Sequence, residues 1–348
     1  MKTSWEDAPK KDRLTHVGKL VARTPKVVKA LEALKATMER HRTRAEGSAL
    51  SLTGDTRSGK TTILREFLYD MVDAEGLTLV KTFDPAHSEV IGKTAVTYLE
   101  RRVPGEDLER PVLCIQVSNR ATYTSLLRDV ITAVTEKKPA VKADHGELVL
   151  ELCTQIVGQK TRMIIFDDVN NIAEHKGREA LHSASEVFKM LMKVARVQVG
   201  LVGMDSSKAL LRSNKQLDEM VPRRHQLTPY AAPDPENRNS EFLGFIQDLK
   251  SGLPFDRKCP IDTPACLLRL HILTEGRPGA VSLFLSDAVE YALENDLPFI
   301  DINVFAQVLK EHREIPDRNN IFLAKDVDLP NQRQRARSAA IQPPKTSA

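Results

Sequence analysis

The chain has 348 residues, of which 41% are hydrophobic and 28% charged, with 16 Gly and 19 Pro. At roughly 150 residues per domain this allows two folded units, or one large domain with appended segments. The composition excludes disordered, collagenous and membrane-embedded classes. No apolar run nears the roughly 18 residues that cross a bilayer, and the start, MKTSWEDAPKKDR, offers no apolar stretch for a signal peptide. A cytoplasmic chain with no membrane partner is therefore expected. The net charge of +4 is unevenly spread: residues 1–30 carry +5 and residues 331–348 carry +4, leaving −5 for the rest. Two basic ends around a near-neutral body suit phosphate contacts on nucleic acid, and suit solvated tails as well. Cys114, Cys153, Cys259 and Cys266 lack disulfide or metal spacing and read as reduced thiols, the first two as small core residues.

Residues 1–24 are polar without clear periodicity and read as a basic arm. Pro25 then stands in the first turn of an amphipathic helix, VVKALEALKATMERHR. From Ala49 the pattern alternates: a strand at ALSLT, a helix from Gly59 to about Met71, a strand at LTLVKTF, and a broken stretch from Asp84 to Arg110. A strand at VLCIQVS follows, then helices near Tyr123–Glu136 and Glu147–Val157, a strand at RMIIF, a helix near Arg178–Val194 and a strand at VQVGLVG. Such alternation predicts an α/β domain with a parallel sheet covered on both faces. After the Pro-rich TPYAAPDPEN come helical segments near Glu241–Lys250, Pro264–Leu273, Ala280–Glu294 and Ile302–Arg313, with no strand between them. The expected organisation is a basic arm (1–24), an α/β nucleotide-binding domain (25–230), a small helical domain (238–315) and a disordered basic tail (316–348).

The segment GDTRSGKT fits the P-loop pattern. Gly54, Asp55, Thr56, Arg57, Ser58 and Gly59 supply a turn whose backbone N–H groups wrap phosphates. Lys60 neutralises β- and γ-phosphate charge, and the Thr61 hydroxyl ligates Mg2+, with Thr62 beside it. A strand before and a helix after place helix N-terminal amides toward the anion. MIIFDD is a buried strand whose end delivers Asp167 toward the metal and Asp168 to orient or deprotonate a water attacking the γ-phosphate. Two acids capping a turn is the plainer reading. At the end of VQVGLVG, Asp205 or Ser206 sits where a polar side chain senses the γ-phosphate, or else caps a helix. Arg223 and Arg224, in VPRRHQL, precede the last strand of the domain, where an arginine can face a neighbouring subunit's nucleotide or simply face solvent. EGRPG joins two helices and would hold Arg277 on a lid over the nucleotide, although a helix break followed by Pro at N1 explains the motif without function. None of the nine histidines stands at triad or metal spacing.

In this order, P-loop, acid-tipped strand, polar-tipped strand, Arg pair and helical lid, the chain resembles an AAA+ ATPase and, more narrowly, the TniB and TnsC transposition ATPases. The similarity is carried by LTGDTRSGKTT, PVLCIQVSNRATYTSLLRDVI, MIIFDDVNNI, GLVGMDSSKALLRSNKQL and LHILTEGRPGAVSLFLSDAVEYAL. The resemblance implies a P-loop AAA+ domain with a C-terminal helical lid, binding ATP with Mg2+. It implies a homo-oligomer, ring or helical filament, assembling on double-stranded DNA and recruiting a DDE transposase, often with a TniQ-like adaptor. Position by position, Lys60, Thr61 and Asp167 match the phosphate and magnesium residues, while Asp168 stands where Glu is usual. Met220-Val221 replaces the usual Arg-Phe, so the finger role would pass to Arg223 or Arg224 or be lost, and Ala280 replaces a lid cation. Lys81, Lys93, Arg101 and Arg102 are the candidate DNA contacts. The competing expectations are a non-hydrolysing nucleotide-bound scaffold and a small-molecule kinase, the latter disfavoured because such kinases carry an arginine-rich lid close to the sheet.

Overall fold

The computed structural model describes residues 4–43, 45–81, 96–102, 105, 108–117, 123–135, 137–140, 142–174, 178–233 and 240–325. In chain order its first elements are α1 (Lys10–Lys19), α2 (Pro25–Glu39), β1 (Ala49–Gly54), α3 (Lys60–Glu75), β2 (Thr78–Lys81), β3 (Val96–Arg101) and β4 (Glu109–Gln116). There follow α4 (Tyr123–Thr135), α5 (His145–Gly158), β5 (Met163–Asp167), α6 (Asn170–Glu174), α7 (Arg178–Lys193) and β6 (Gln198–Gly203). The last are α8 (Lys208–Arg212), α9 (Lys215–Glu219), β7 (Arg223–Leu227), α10 (Glu241–Ser251), α11 (Pro264–Thr274), α12 (Pro278–Glu294) and α13 (Ile302–Glu311). They divide into two compact units: Lys26–Thr56 with Lys60–Leu227, and Met1–Pro25 with Arg57–Gly59 and Thr228–Ala348.

The first unit is built on one seven-stranded sheet in the order β2-β3-β4-β5-β6-β1-β7. The strands from β4 to β7 in this order run parallel, whereas β3 pairs antiparallel with both β2 and β4, so the sheet is mixed rather than wholly parallel. Strand β3 lies inside the stretch read as broken. Its YLER alternates poorly because Glu100 is buried and bridged to Arg110, itself only 2% exposed. The central strands β5 and β6 are continuous apolar runs, as burial on both faces requires. One face packs Leu50, Leu52, Val112 and Ile165 against α2 and α3 through Leu31, Leu34, Ile63 and Phe67. The other packs Ile164, Phe166, Val199 and Leu201 against α4, α5 and α7. A capping box, Asp144 with Glu147, starts α5, and Asn214 caps α9.

The second unit is helical, as expected, but it is larger than residues 238–315. Residues 10–19, read as part of an arm, form α1. Its sequence shows no stripe because only Val17 is buried, and its other anchors are polar: Arg13 donates to the Pro254 carbonyl at 2.7 and 3.0 Å, and His16 Nε2 donates to the Gly252 carbonyl at 2.9 Å. Part of the segment read as a disordered tail is also packed. Ile321 and Phe322 are buried, Phe322 stacking on Phe284 at 5.6 Å and meeting Phe305 at 5.2 Å, and Asn320 donates to the Ala306 carbonyl. Residues 326–348 lie outside the described part. At Gly276 (φ +70°) a Cβ would come within 2.2 Å of the Tyr230 carbonyl, so only glycine fits the turn between α11 and α12.

Candidate functional site

Parallel register brings the carboxyl ends of the strands to one edge of the sheet. Thr53 lies level with Gly203, Gly54 with Leu227, and Gln116 with Asp167. In open α/β sheets, ligands bind outside this edge. The predicted loop leaves β1 at Gly54 and enters α3 at Lys60. Arg57 and Gly59 hold left-handed φ values of +64° and +95°. Turns of this kind gather successive N–H groups into a concave anion-binding surface. Within the helical unit, the Arg57 carbonyl accepts from the Gly279 N–H at 2.8 Å. Lys60 Nζ donates to the carbonyls of Gly54 at 2.6 Å and Asp55 at 2.9 Å. Burial holds its pKa below the ordinary lysine value, while Asp167, Asp168, Asp55 and Asp205 pull it back up. One ammonium thus sits in the field of four carboxylates from three loops.

Asp167 ends β5, and its carboxyl is pushed up to about 6, first by burial and then by Asp168; the Asp168 backbone N–H and Lys60 act against this. That N–H donates to Asp167 Oδ1 at 2.9 Å. Asp168 itself stands at φ +57°, a conformation Asp and Asn tolerate better than most residues. Its Oδ2 accepts from Gln116 Nε2 at 2.9 Å. Among the described residues no cluster of three His, Cys, Asp or Glu forms a self-sufficient metal cage. The donors at hand, a carboxylate at Asp167 and a hydroxyl at Thr61, are the hard oxygens Mg2+ takes when a substrate's phosphates complete its sphere. A part-buried carboxylate whose charged form burial penalises is the group such a cation would charge-balance, so the residues fit Mg2+.

Asp205 opens a short 3-10 turn after β6 whose N-cap position is Met204. Oδ2 accepts from Gln226 Nε2 at 2.7 Å and pairs with Lys208 at 3.1 Å, while Oδ1 is buried with no hydrogen-bond partner among the described residues. Arg223 and Arg224 do not precede the last strand; they are its first two residues. Arg224 is folded onto its own unit, 2.9 Å from Asp218 Oδ1 and bonded to the Asp218 and Val221 carbonyls. Neither arginine is among the charges acting on Lys60. Arg277 precedes α12 and pairs with Glu275. Of the proposed DNA contacts, Arg101 is bridged to Glu109 and Arg102 to Glu100; Lys93 and the Lys81 side chain lie outside the described residues.

Three site residues were missed. Gln116 holds Asp168, Asn170 Oδ1 accepts from the Met204 N–H at 3.1 Å, and Asn171 Nδ2 donates to the Val117 carbonyl at 2.8 Å. The signal for Gln116 was a polar residue closing the apolar run VLCI. The two asparagines tie the acid-bearing tip of β5 to the tips of β6 and β4.

Residues 43–211 match the protein family described as AAA domain. No match was found among curated protein sequences. Solved structures show the same fold across most of the chain. The Cdc6p structure from Pyrobaculum aerophilum has a TM-score of 0.55 at 13% identity, covering 94% of this chain and 84% of that one. The Aeropyrum pernix ORC1 protein in complex with DNA has a TM-score of 0.52 at 14% identity, covering 91% and 79%. The Aeropyrum pernix ORC2 protein, described as ADPNP-ADP complexes, has a TM-score of 0.52 at 13% identity, covering 86% and 72%. At such identities the likeness shows the fold: a P-loop AAA+ α/β unit with a C-terminal helical region.

Proposed function

We propose that this chain, with its AAA+ fold, is a nucleotide-switched DNA-binding ATPase that oligomerises on duplex DNA and acts as a transposition regulator of the TniB/TnsC type. The observation that carries the nucleotide part is the convergence of Lys60 with Asp167, Asp168 and Asp205 at the carboxyl edge of the sheet. In this reading the loop N–H groups of Asp55–Gly59 and the Lys60 ammonium bind the ATP phosphates. Thr61 and Asp167 hold Mg2+, which when bound offsets phosphate charge. Asp168 accepts the proton of the attacking water, kept in place by Gln116. The buried Asp205 Oδ1, unpartnered among the described residues, faces Lys60 electrostatically and suits a sensing role. Arg223 or Arg224 would serve a neighbouring subunit, and Arg277 the lid.

The DNA and oligomer parts are supported by the fold shared with ORC1 bound to DNA, by the basic chain ends and by the motif resemblance. A DDE transposase and a TniQ-like adaptor are the partners the resemblance supplies. A second reading, a non-hydrolysing scaffold, is favoured by the short Asp168 side chain engaged by Gln116. The test is nucleotide binding and phosphate release with and without duplex DNA. Wild type is expected to bind ATP and to turn over faster with DNA. Lys60→Ala should lose binding, and Asp168→Asn should bind without turnover. DNA-independent, negligible phosphate release by wild type would select the scaffold, and ATP binding unchanged in Lys60→Ala would remove both readings.

A further inference from the structure

Among the described residues, strand β7 is the edge of the sheet, paired only with β1. A groove of about 670 Å³ runs between it and α2. Its lining includes the small side chains Ala30, Ala33 and Ala36 of the helix. Its walls carry Lys26, Lys29, Arg223 and Arg224 against a single acid, Glu32. Arg224 is engaged by Asp218, whereas Lys29 and Arg223 have no acidic partner among the described residues. The His225 ring in the same wall responds to this excess: burial first, then Lys29 and Arg223, hold its pKa below the ordinary histidine value.

An open strand edge offers backbone N–H and C=O groups to an added strand, and the side chains around it choose the partner. Uncompensated cations along the edge select acidic side chains and reject basic ones. Single-stranded nucleic acid would call for stacking surfaces, and no Phe, Tyr or Trp among the described residues lines the groove. Duplex phosphates need no strand edge and no recess lined by alanines. We propose that the groove between α2 and β7 is a docking site for an acidic segment of a partner protein, bound in extended form as an eighth strand beside β7. The proposal does not depend on the nucleotide reading, and Lys29, the residue that tests it, is separate from the loop and from the finger candidates Arg223 and Arg224, so the two can fail independently.

The experiment is fluorescence anisotropy on the full chain with a labelled alternating Glu-Val peptide of about ten residues, compared with a Lys-Val peptide, an N-methylated Glu-Val peptide, and single- and double-stranded DNA. Wild type is expected to bind the Glu-Val peptide, to ignore the Lys-Val peptide, and to lose about tenfold or more in affinity when alternate peptide N–H groups are methylated. Lys29→Glu, on an exposed helix position, should weaken the Glu-Val peptide about tenfold and bring in the Lys-Val peptide, a gain that misfolding would not produce. No binding of the Glu-Val peptide, binding indifferent to N-methylation, or binding unmoved by Lys29→Glu would each overturn the proposal. So would DNA binding lost in Lys29→Glu with the peptide affinity intact, which would make the groove a nucleic-acid surface.

Discussion

Asp168 shows how a backbone requirement selects a side chain. Its φ of +57° favours Asp or Asn, and its distance from β5 is fixed by the N–H bond to Asp167. Asp168→Asn keeps both the conformation and an acceptor for Gln116 while removing the charge, so ATP turnover should fall by about 10²–10⁴-fold with binding and melting temperature retained. Steady-state phosphate release checks this. Asp167 gives a pH signature in metal-free protein. Its carboxyl stands at about 6 when folded against an ordinary 3.8, so between these values the folded state binds more protons and stability falls as pH rises. The expected loss is on the order of 2–3 kcal/mol from about pH 4 to pH 6. Asp167→Asn should abolish it and raise the melting temperature at pH 7.5 in EDTA. Lys60, Thr61, Asp167 and Asp168 were legible because the loop and the strand tip are local patterns. Gln116 was not, because its link to Asp168 is made by strand pairing across 52 residues.

Elements were legible wherever one apolar face recurs at a single period. The alternating strands and helices of 49–203 and the four late helices are of this kind. Helix α1 escaped notice because backbone carbonyls reached by Arg13 and His16 hold it, and the packed end around Phe322 because three residues make no period. Both are structural parts of the helical unit. Phe322→Ala should cost about 3–5 kcal/mol, read as a shift of the denaturant midpoint; a shift below about 0.5 kcal/mol would return residues 320–322 to the status of a tail. Strand β3 was hidden by its buried Glu100–Arg110 pair, a long-range match invisible to local patterning.

At the scale of the whole molecule the chain joins an α/β unit bearing the carboxylate cluster to a helical unit that also claims the loop apex, Arg57–Gly59. The loop Gly54–Lys60 thus runs through both units along its own covalent chain. Of the candidate DNA contacts, Arg101 is bridged to Glu109 and Arg102 to Glu100, pairings that charge counts alone do not reveal. The central claim is that the occupied loop governs association on DNA. Sedimentation velocity of the full chain with a duplex should show large complexes with ATP and Mg2+ or a non-hydrolysable analogue, and a slow species with ADP or with Lys60→Ala. Complexes of equal size under all four conditions would contradict it.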